Sequence, residues 1–352
     1  MNSKTFVWLS ALTVVVVIAA GFSVAERYWN SQTVRVEHSA FPDLADTMND
    51  VAEIRIENSD GRYSVKRVKD KWIVVDKHNY PAKFSKIREM IAAVSNLLVV
   101  DAKTKNPKLY SRISVQDTKG KDFDSKYLGL KDASGKVLAE LIIGNRKFSM
   151  GGGEDDEGIY FRRPSEEQAY LGRGRLELSR DILDWLDQTL VNVKIARIKW
   201  VHTLTADGNE IIISRKTAAV KDFLLETLPA GAKLSDSADD KLTDLANGLK
   251  DMELRDISPE GGITFPEDKI FSATYHTFKG LTVTLKMFTT GNDTWARVSA
   301  NADRKSADAV KEAEVINTRT KGWVFKLWDY KVKPLQIKMK DLLEKPKKKK
   351  SS

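Results

Sequence analysis

Val51-Ala52-Glu53-Ile54-Arg55-Ile56, then Asn58-Ser59-Asp60-Gly61 and Tyr63-Ser64-Val65-Lys66-Arg67-Val68, is the stretch on which the fold turns. Apolar and polar residues alternate in the first hexad, the period-2 signature of a half-buried strand. Asp-Gly readily supplies the positive φ of a hairpin turn, so the chain is expected to return as a second strand. Trp72-Ile73-Val74-Val75 reads as a third. After Pro81, Phe84, Ile87, Ile91, Val94 and Leu98 recur at spacings of three and four, an amphipathic helix. Val99-Val100 then begins another strand. The unit is a β-meander followed by a helix.

The pattern recurs downstream. Ile195-Ala196-Arg197-Ile198-Lys199-Trp200 echoes the first hexad, Asp207-Gly208 stands where Asp60-Gly61 stood, and Glu210-Ile211-Ile212-Ile213-Ser214 returns. A helix-like stretch over residues 239–249 precedes Met252-Glu253-Leu254. The alternative is two unrelated units of hairpin and helix. Between them, residues 127–130, 137–144, 158–162 and 168–171 read as strands of one sheet. Ser179 is placed to cap a helix over residues 180–190, with Ile182, Leu183, Trp185, Leu186 and Leu190 as its apolar face. Residues 271–278, 281–288 and 294–300 read as a meander turned at Lys279-Gly280 and Gly291-Asn292. Residues 306–316 read as a helix and 323–328 as a strand. Asp329 opens a last helix carrying Leu335, Ile337, Met339, Leu342 and Leu343. The expected fold class is α+β: an N-terminal transmembrane helix, then two related units of antiparallel β-meander plus helix.

At roughly 150 residues per domain, 352 residues suggest about two domains. Hydrophobic residues are 41% and charged residues 30%, which excludes disorder throughout and a polytopic membrane protein. The net charge is +9, and the five lysines after Glu344 supply more than half of it. A body so close to neutral argues against nucleic acid as a partner. Cysteine is absent, which excludes disulfides, thiolate catalysis and Cys-ligated zinc.

Residues 6–25 read FVWLSALTVVVVIAAGFSVA without a charge. Twenty residues at about 1.5 Å each match the roughly 30 Å hydrocarbon thickness of a bilayer. Lys4 and the terminal amine precede the run, so residues 1–5 are expected in the cytoplasm and the rest of the chain in the periplasm. The alternative is a signal peptide cleaved after Ala25, since Ser23-Val24-Ala25 has a small-x-small pattern; the run is longer than the usual signal core, which favours a retained anchor. The expected organisation is an anchor at 6–25, a linker at 26–49, α+β domains at 50–192 and 193–344, and a basic tail at 345–352.

Taken in order, the anchor, VAEIRI, the Trp72 strand, Leu128-Gly129-Leu130, Leu141-Ile142-Ile143-Gly144-Asn145, Gly158-Ile159-Tyr160-Phe161, the 179–190 segment and Gly322-Trp323-Val324-Phe325-Lys326-Leu327 resemble an uncharacterised bacterial family of membrane-anchored envelope proteins, a domain of unknown function. The resemblance covers most of residues 50–343. Order and spacing carry it rather than any single motif. It implies an association with ABC exporter subunits and with the auxiliary components of gliding-type transporters, and it brings no catalytic residues.

The residues offer little chemistry of their own. His38, His78, His202 and His276 are isolated, and no HExxH, GxSxG, Ser-x-x-Lys or Walker A pattern occurs. Gly172-Arg173-Gly174 reads as a turn. Glu154-Asp155-Asp156-Glu157 after three glycines is either a solvated hairpin tip or a cluster of oxygen ligands for Ca²⁺ without EF-hand spacing. Asp60/Asp207 and Asp239/Asp240 are candidate acid–base pairs that turns and helix caps explain equally. Lys347, Lys348, Lys349 and Lys350 are candidates for binding an anionic lipid or glycan, or form a solvated end. Trp72, Trp185, Trp200 and Trp323 are expected in the core, and Trp295 and Trp328 at the surface. The expectation is therefore a non-enzymatic, single-pass accessory or scaffold protein of the inner membrane, without a cofactor, that contacts a membrane protein complex such as an ABC exporter. The alternative is a module that binds an envelope polymer or lipid.

Overall fold

The computed structural model describes residues 37–119, 123–150 and 156–344. They form a mixed α and β structure with antiparallel sheets and a few helices. No helix among them is long and apolar enough to cross a membrane; the apolar run at 6–25 lies outside the described residues. Two compact units share the chain: residues 37–62 with Arg88–Arg180, and Tyr63–Ile87 with residues 181–344.

In chain order the strands and helices are β1 (His38–Ser39), α1 (Leu44–Thr47), β2 (Val51–Asn58), β3 (Gly61–Val68), β4 (Lys71–Val74), β5 (Tyr80–Pro81), α2 (Phe84–Ser95), β6 (Leu98–Ala102), β7 (Lys126–Asp132), β8 (Val137–Lys147), β9 (Gly158–Arg162) and β10 (Ala169–Arg173). They continue with β11 (Thr189–Val191), β12 (Ile198–Leu204), β13 (Glu210–Ser214), β14 (Leu224–Leu225), α3 (Ala238–Ala246), β15 (Met252–Pro259), β16 (Phe271–Thr277), β17 (Leu281–Thr290), β18 (Asp293–Ala302), α4 (Ala307–Thr320), β19 (Trp323–Leu327), α5 (Asp329–Val332) and α6 (Met339–Leu342).

In the first unit the strand order is β1-β6-β10-β9-β8-β7-β2, every pair antiparallel. The strands expected at 127–130, 137–144, 158–162 and 168–171 do share this sheet. Side chains alternate sides along a strand, yet Leu141, Ile142 and Ile143 are all buried. Both faces of this sheet are therefore covered. On the Ile142 side, the 3-10 turn Pro107–Ile113 and the residues after it bring Tyr110 and Val115 against Ile142 and Ala169 as a small second core.

The second unit holds β3-β4-β5 and a nine-stranded sheet in the order β11-β15-β19-β18-β17-β16-β12-β13-β14. The meander β16-β17-β18 turns at Gly280 and Gly291, both at positive φ as the sequence suggested. Ser306 caps α4 by accepting from the Ala309 amide. That helix buries Ala309, Ala313 and Ile316.

Several expectations need correction: Gly172 and Arg173, read as a turn, belong to β10, and Leu98, read as the end of a helix, opens β6. Residues 180–190 are not an α-helix. Asp181, not Ser179, caps a single 3-10 turn, Ile182–Trp185, and the chain then extends into β11, where Thr189 pairs with Glu253. Strand pairing overrides the helical spacing, and Trp185, Leu186 and Leu190 are buried without a helix. The last helix is broken at Pro334, which has no amide hydrogen and disfavours α geometry before it; α5, a 3-10 turn Lys333–Gln336 and α6 replace it. The echo of VAEIRI is imperfect, because Ile195–Arg197 is a 3-10 turn and β12 starts only at Ile198. Among the tryptophans, Trp72 and Trp185 are core, while Trp200 and Trp323 are half-buried.

Candidate functional site

The second unit's sheet has two unlike faces. From Trp200 onward β12 sends Val201 and Thr203 inward and Trp200, His202 and Leu204 outward; β16, β17 and β18 bury Ala273, Tyr275, Val283, Leu285, Ala296 and Val298 on the same inner side. The outer side carries polar and aromatic groups in cross-strand rows. Trp200 lies opposite Ser214 and His276, and His276 opposite Thr282. His202 lies opposite Thr274, Thr274 opposite Thr284, and Thr284 opposite Ser299. Ser272 faces Lys286, which faces Arg297. Phe288 faces Trp295.

Lateral contacts hold these rows. The Trp200 and His276 rings stack at 5.2 Å with 16° between planes. His276 Nδ1 shares a hydrogen bond with Thr282 Oγ1 at 2.9 Å, and the Thr274 and Thr284 hydroxyls meet at 3.3 Å. Burial holds His276 below the ordinary imidazole range; Lys199 adds to this and Asp303 opposes it. His202 Nε2 lies 2.9 Å from Glu210 Oε1. At one corner Phe265 folds onto Phe288 at 5.9 Å and lies under the Arg297 guanidinium at 4.4 Å, with Glu260 3.5 Å from Arg297. Lys326 pairs with Asp293 at 2.6 Å. These groups do not converge on a reacting atom.

Two clefts lie elsewhere, one in each unit. In the first unit a cleft of about 390 Å³ is lined by Tyr110, Gln116, Asp117, Arg162, Glu166 and Glu167. Arg162 is buried, and its nitrogens donate to the carbonyls of Val115 and Glu166 and to the Asp117 carboxylate. Its guanidinium lies over the Tyr110 ring at 4.8 Å. In the second unit a cleft of about 410 Å³ includes Thr205, Asp207, Lys269, Thr289, Gln336 and Lys338. There Lys338 Nζ sits 2.6 Å from Asp207 Oδ2, and Lys338 and the Thr205 hydroxyl hold the Asp207 carboxyl down at about 2.

The candidates named from sequence are dispersed by these arrangements. His38 belongs to the first unit, at the end strand β1; His78 ends the 3-10 turn Val75–Lys77 at φ +55°. His202 and His276 alone share a face. Asp60 and Asp207 belong to different units. Asn58, buried, organises the first turn by accepting from the amides of Asp60 and Gly61. Asp239 and Asp240 lie in the first turn of α3, where carboxylates favour the helix dipole. Of the acidic run, Asp156 and Glu157 pair with Arg173 and Arg146; Glu154 and Asp155 lie outside the described residues, as do Lys347, Lys348, Lys349 and Lys350. Among the described residues no three acids or histidines are grouped to hold a metal ion. Thr274, Thr282, Thr284, Lys286 and Arg297 were not singled out from sequence. The strict alternation of β16–β18 was the signal that placed them outward.

Residues 72–273 match the model of a family described as a domain of unknown function (DUF4340). No curated protein and no solved structure matches the chain. The match takes in more than half of the 352 residues, and the chain belongs to that family.

Proposed function

For this member of the DUF4340 family we propose a non-enzymatic role: a single-pass accessory or scaffold protein, anchored through residues 6–25, that works outside the cytoplasmic membrane by surface recognition beside a membrane protein complex. An ABC exporter is the complex we put forward. The observation that carries the reading is the outer face of the second unit's sheet. Its histidines, hydroxyls and rings are tied to lateral neighbours in rows, an arrangement suited to contact over an area. An acid–base pair would need two such groups aimed at one point.

The test is proteomics of the tagged full chain, purified from mildly crosslinked native membranes beside an unrelated single-pass protein. Enrichment of a permease together with its ATPase is the expected result. Recovery of no membrane complex above the control would remove the accessory reading.

A further inference from the structure

We propose that the outer face of the β12-β16-β17-β18 region binds a segment of acidic polysaccharide, with Lys286 and Arg297 as its anion-binding row and the Trp200–His276 pair as its stacking edge. The starting point is a cost. Lys286 and Arg297 are direct cross-strand partners on β17 and β18, and like charges so placed destabilise a sheet. Arg297 is partly offset by Glu260 and by the face of Phe265. Among the described residues no acid pairs with Lys286. An anionic ligand laid across the row supplies the missing counter-charge.

The row itself keeps an excess positive charge, because Glu260 offsets Arg297 while Lys286 has no acid partner among the described residues. Of the nearby acids Asp293 is offset by Lys326, whereas Glu210 and Glu226 contact His202 and the Ser214 hydroxyl on the side of β13, away from β17 and β18. Glu210 and Asp293 stand at the first residues of β13 and β18, and Asp303 follows the end of β18, whereas Lys286 is in mid-strand. Beside the charged row runs a hydroxyl row, Thr274 and Thr284. Neighbouring strands are spaced about 4.8 Å apart, close to the rise of one sugar ring. Trp200 has His276 on one side and only Ser214 on the other, so one flank of the indole is bordered by a small side chain. Charge, hydroxyls and an aromatic edge on one flat face suit a hydroxylated polyanion better than a lipid surface, which favours protruding apolar side chains.

The inference rests on the extracytoplasmic placement proposed above but not on the identity of the membrane partner. Purified full-length protein in phosphatidylcholine nanodiscs is titrated with polygalacturonate oligomers, with dextran of equal length, and with phosphatidylglycerol vesicles. Polygalacturonate is expected to bind with an affinity that falls as salt rises, and dextran to bind far more weakly. Lys286→Gln is expected to weaken polygalacturonate about five-fold, one interfacial charge, while leaving the melting temperature unchanged or slightly higher. Trp200→Phe, which keeps a ring but a smaller one, is expected to weaken it by a smaller factor. Equal binding of dextran, no effect of Lys286→Gln, or tighter association with the vesicles would each overturn the proposal. So would loss of binding only on replacing Lys347–Lys350 by Ser, since the tail would then be the site. The membrane proteomics can fail while this binding stands, and the reverse also holds, so the two readings are separable.

Discussion

The sheet of the first unit is closed on both faces by its own chain, whereas the central strands of the second unit's sheet leave one face in rows of polar and aromatic groups. In the first unit Tyr110 and Val115 lie on Ile142 and Ala169, with Ile113, Tyr127 and Tyr160 at the margin. Burial there, with Glu140 alongside, pushes the Tyr127 phenol up to about 12. On the outer side of the second unit's sheet, Phe265 covers one corner. One sheet spends both faces on stability. The other leaves one face in polar and aromatic rows, and the role proposed above is placed there although both units contain clefts.

The largest expected effect lies on the closed face. Tyr110→Ala removes a buried ring that supports Arg162 and whose hydroxyl donates to the Glu167 carbonyl at 2.5 Å. Truncations of buried aromatic residues cost about 3–5 kcal/mol, and a loss in that range is expected in urea unfolding of the full chain. Trp200→Ala on the open face removes a stacked ring that is only half-buried, and a smaller loss is expected there. Equal losses at the two positions would break the distinction between the faces.

A second prediction tests how closely the cover sits. A Cβ on Gly144 would lie 2.1 Å from the Ile113 carbonyl oxygen and 3.0 Å from that of Ser114. Backbone atoms have no rotamer with which to retreat, so Gly144→Ala must lift the segment after the 3-10 turn off β8. Overpacking of this kind costs about 1–3 kcal/mol. The expected signature is that loss, together with faster proteolytic cleavage within residues 107–118. A variant as stable and as protease-resistant as the parent would mean that the segment does not rest on Gly144.

These contrasts show where sequence reasoning stopped. Alternation was enough for β2 and the β16-β17-β18 meander, because one face of each is buried and the pattern follows directly from the pleat. It could not separate a helix from a turn and a strand at residues 180–190, where Trp185, Leu186 and Leu190 satisfy helical spacing while β15 supplies a strand partner. Nor could it reveal the cover over Ile142. Pro107-Lys108-Leu109-Tyr110-Ser111-Arg112-Ile113 has no amphipathic period, and its burial depends on contacts with the distant strands β8 and β10. The proposed site lies between these cases. Each outward residue was legible in its own strand, but the opposition of Lys286 to Arg297 and of Trp200 to His276 exists only in the register of the folded sheet.

The smallest expected effect is a pH dependence that belongs to the open face. His276 is held below its ordinary value first by burial and then by Lys199, with Asp303 pulling the other way and Thr282 bonded to the ring. In the unfolded chain the imidazole titrates near 6.5. Above that value both states are neutral and the contribution to stability is fully present. As pH falls through 6.5 toward the lower folded value, the unfolded state takes up the proton first, so stability is progressively lost. Because the ring is only half-buried, the loss is a modest lowering of the melting temperature between pH 7.5 and 5.5. His276→Gln is expected to flatten that part of the profile. A slope unchanged by the substitution would assign the acid sensitivity to another group. It would also weaken the contrast between the two sheets, since the ring on the open face would then differ little from one free in water.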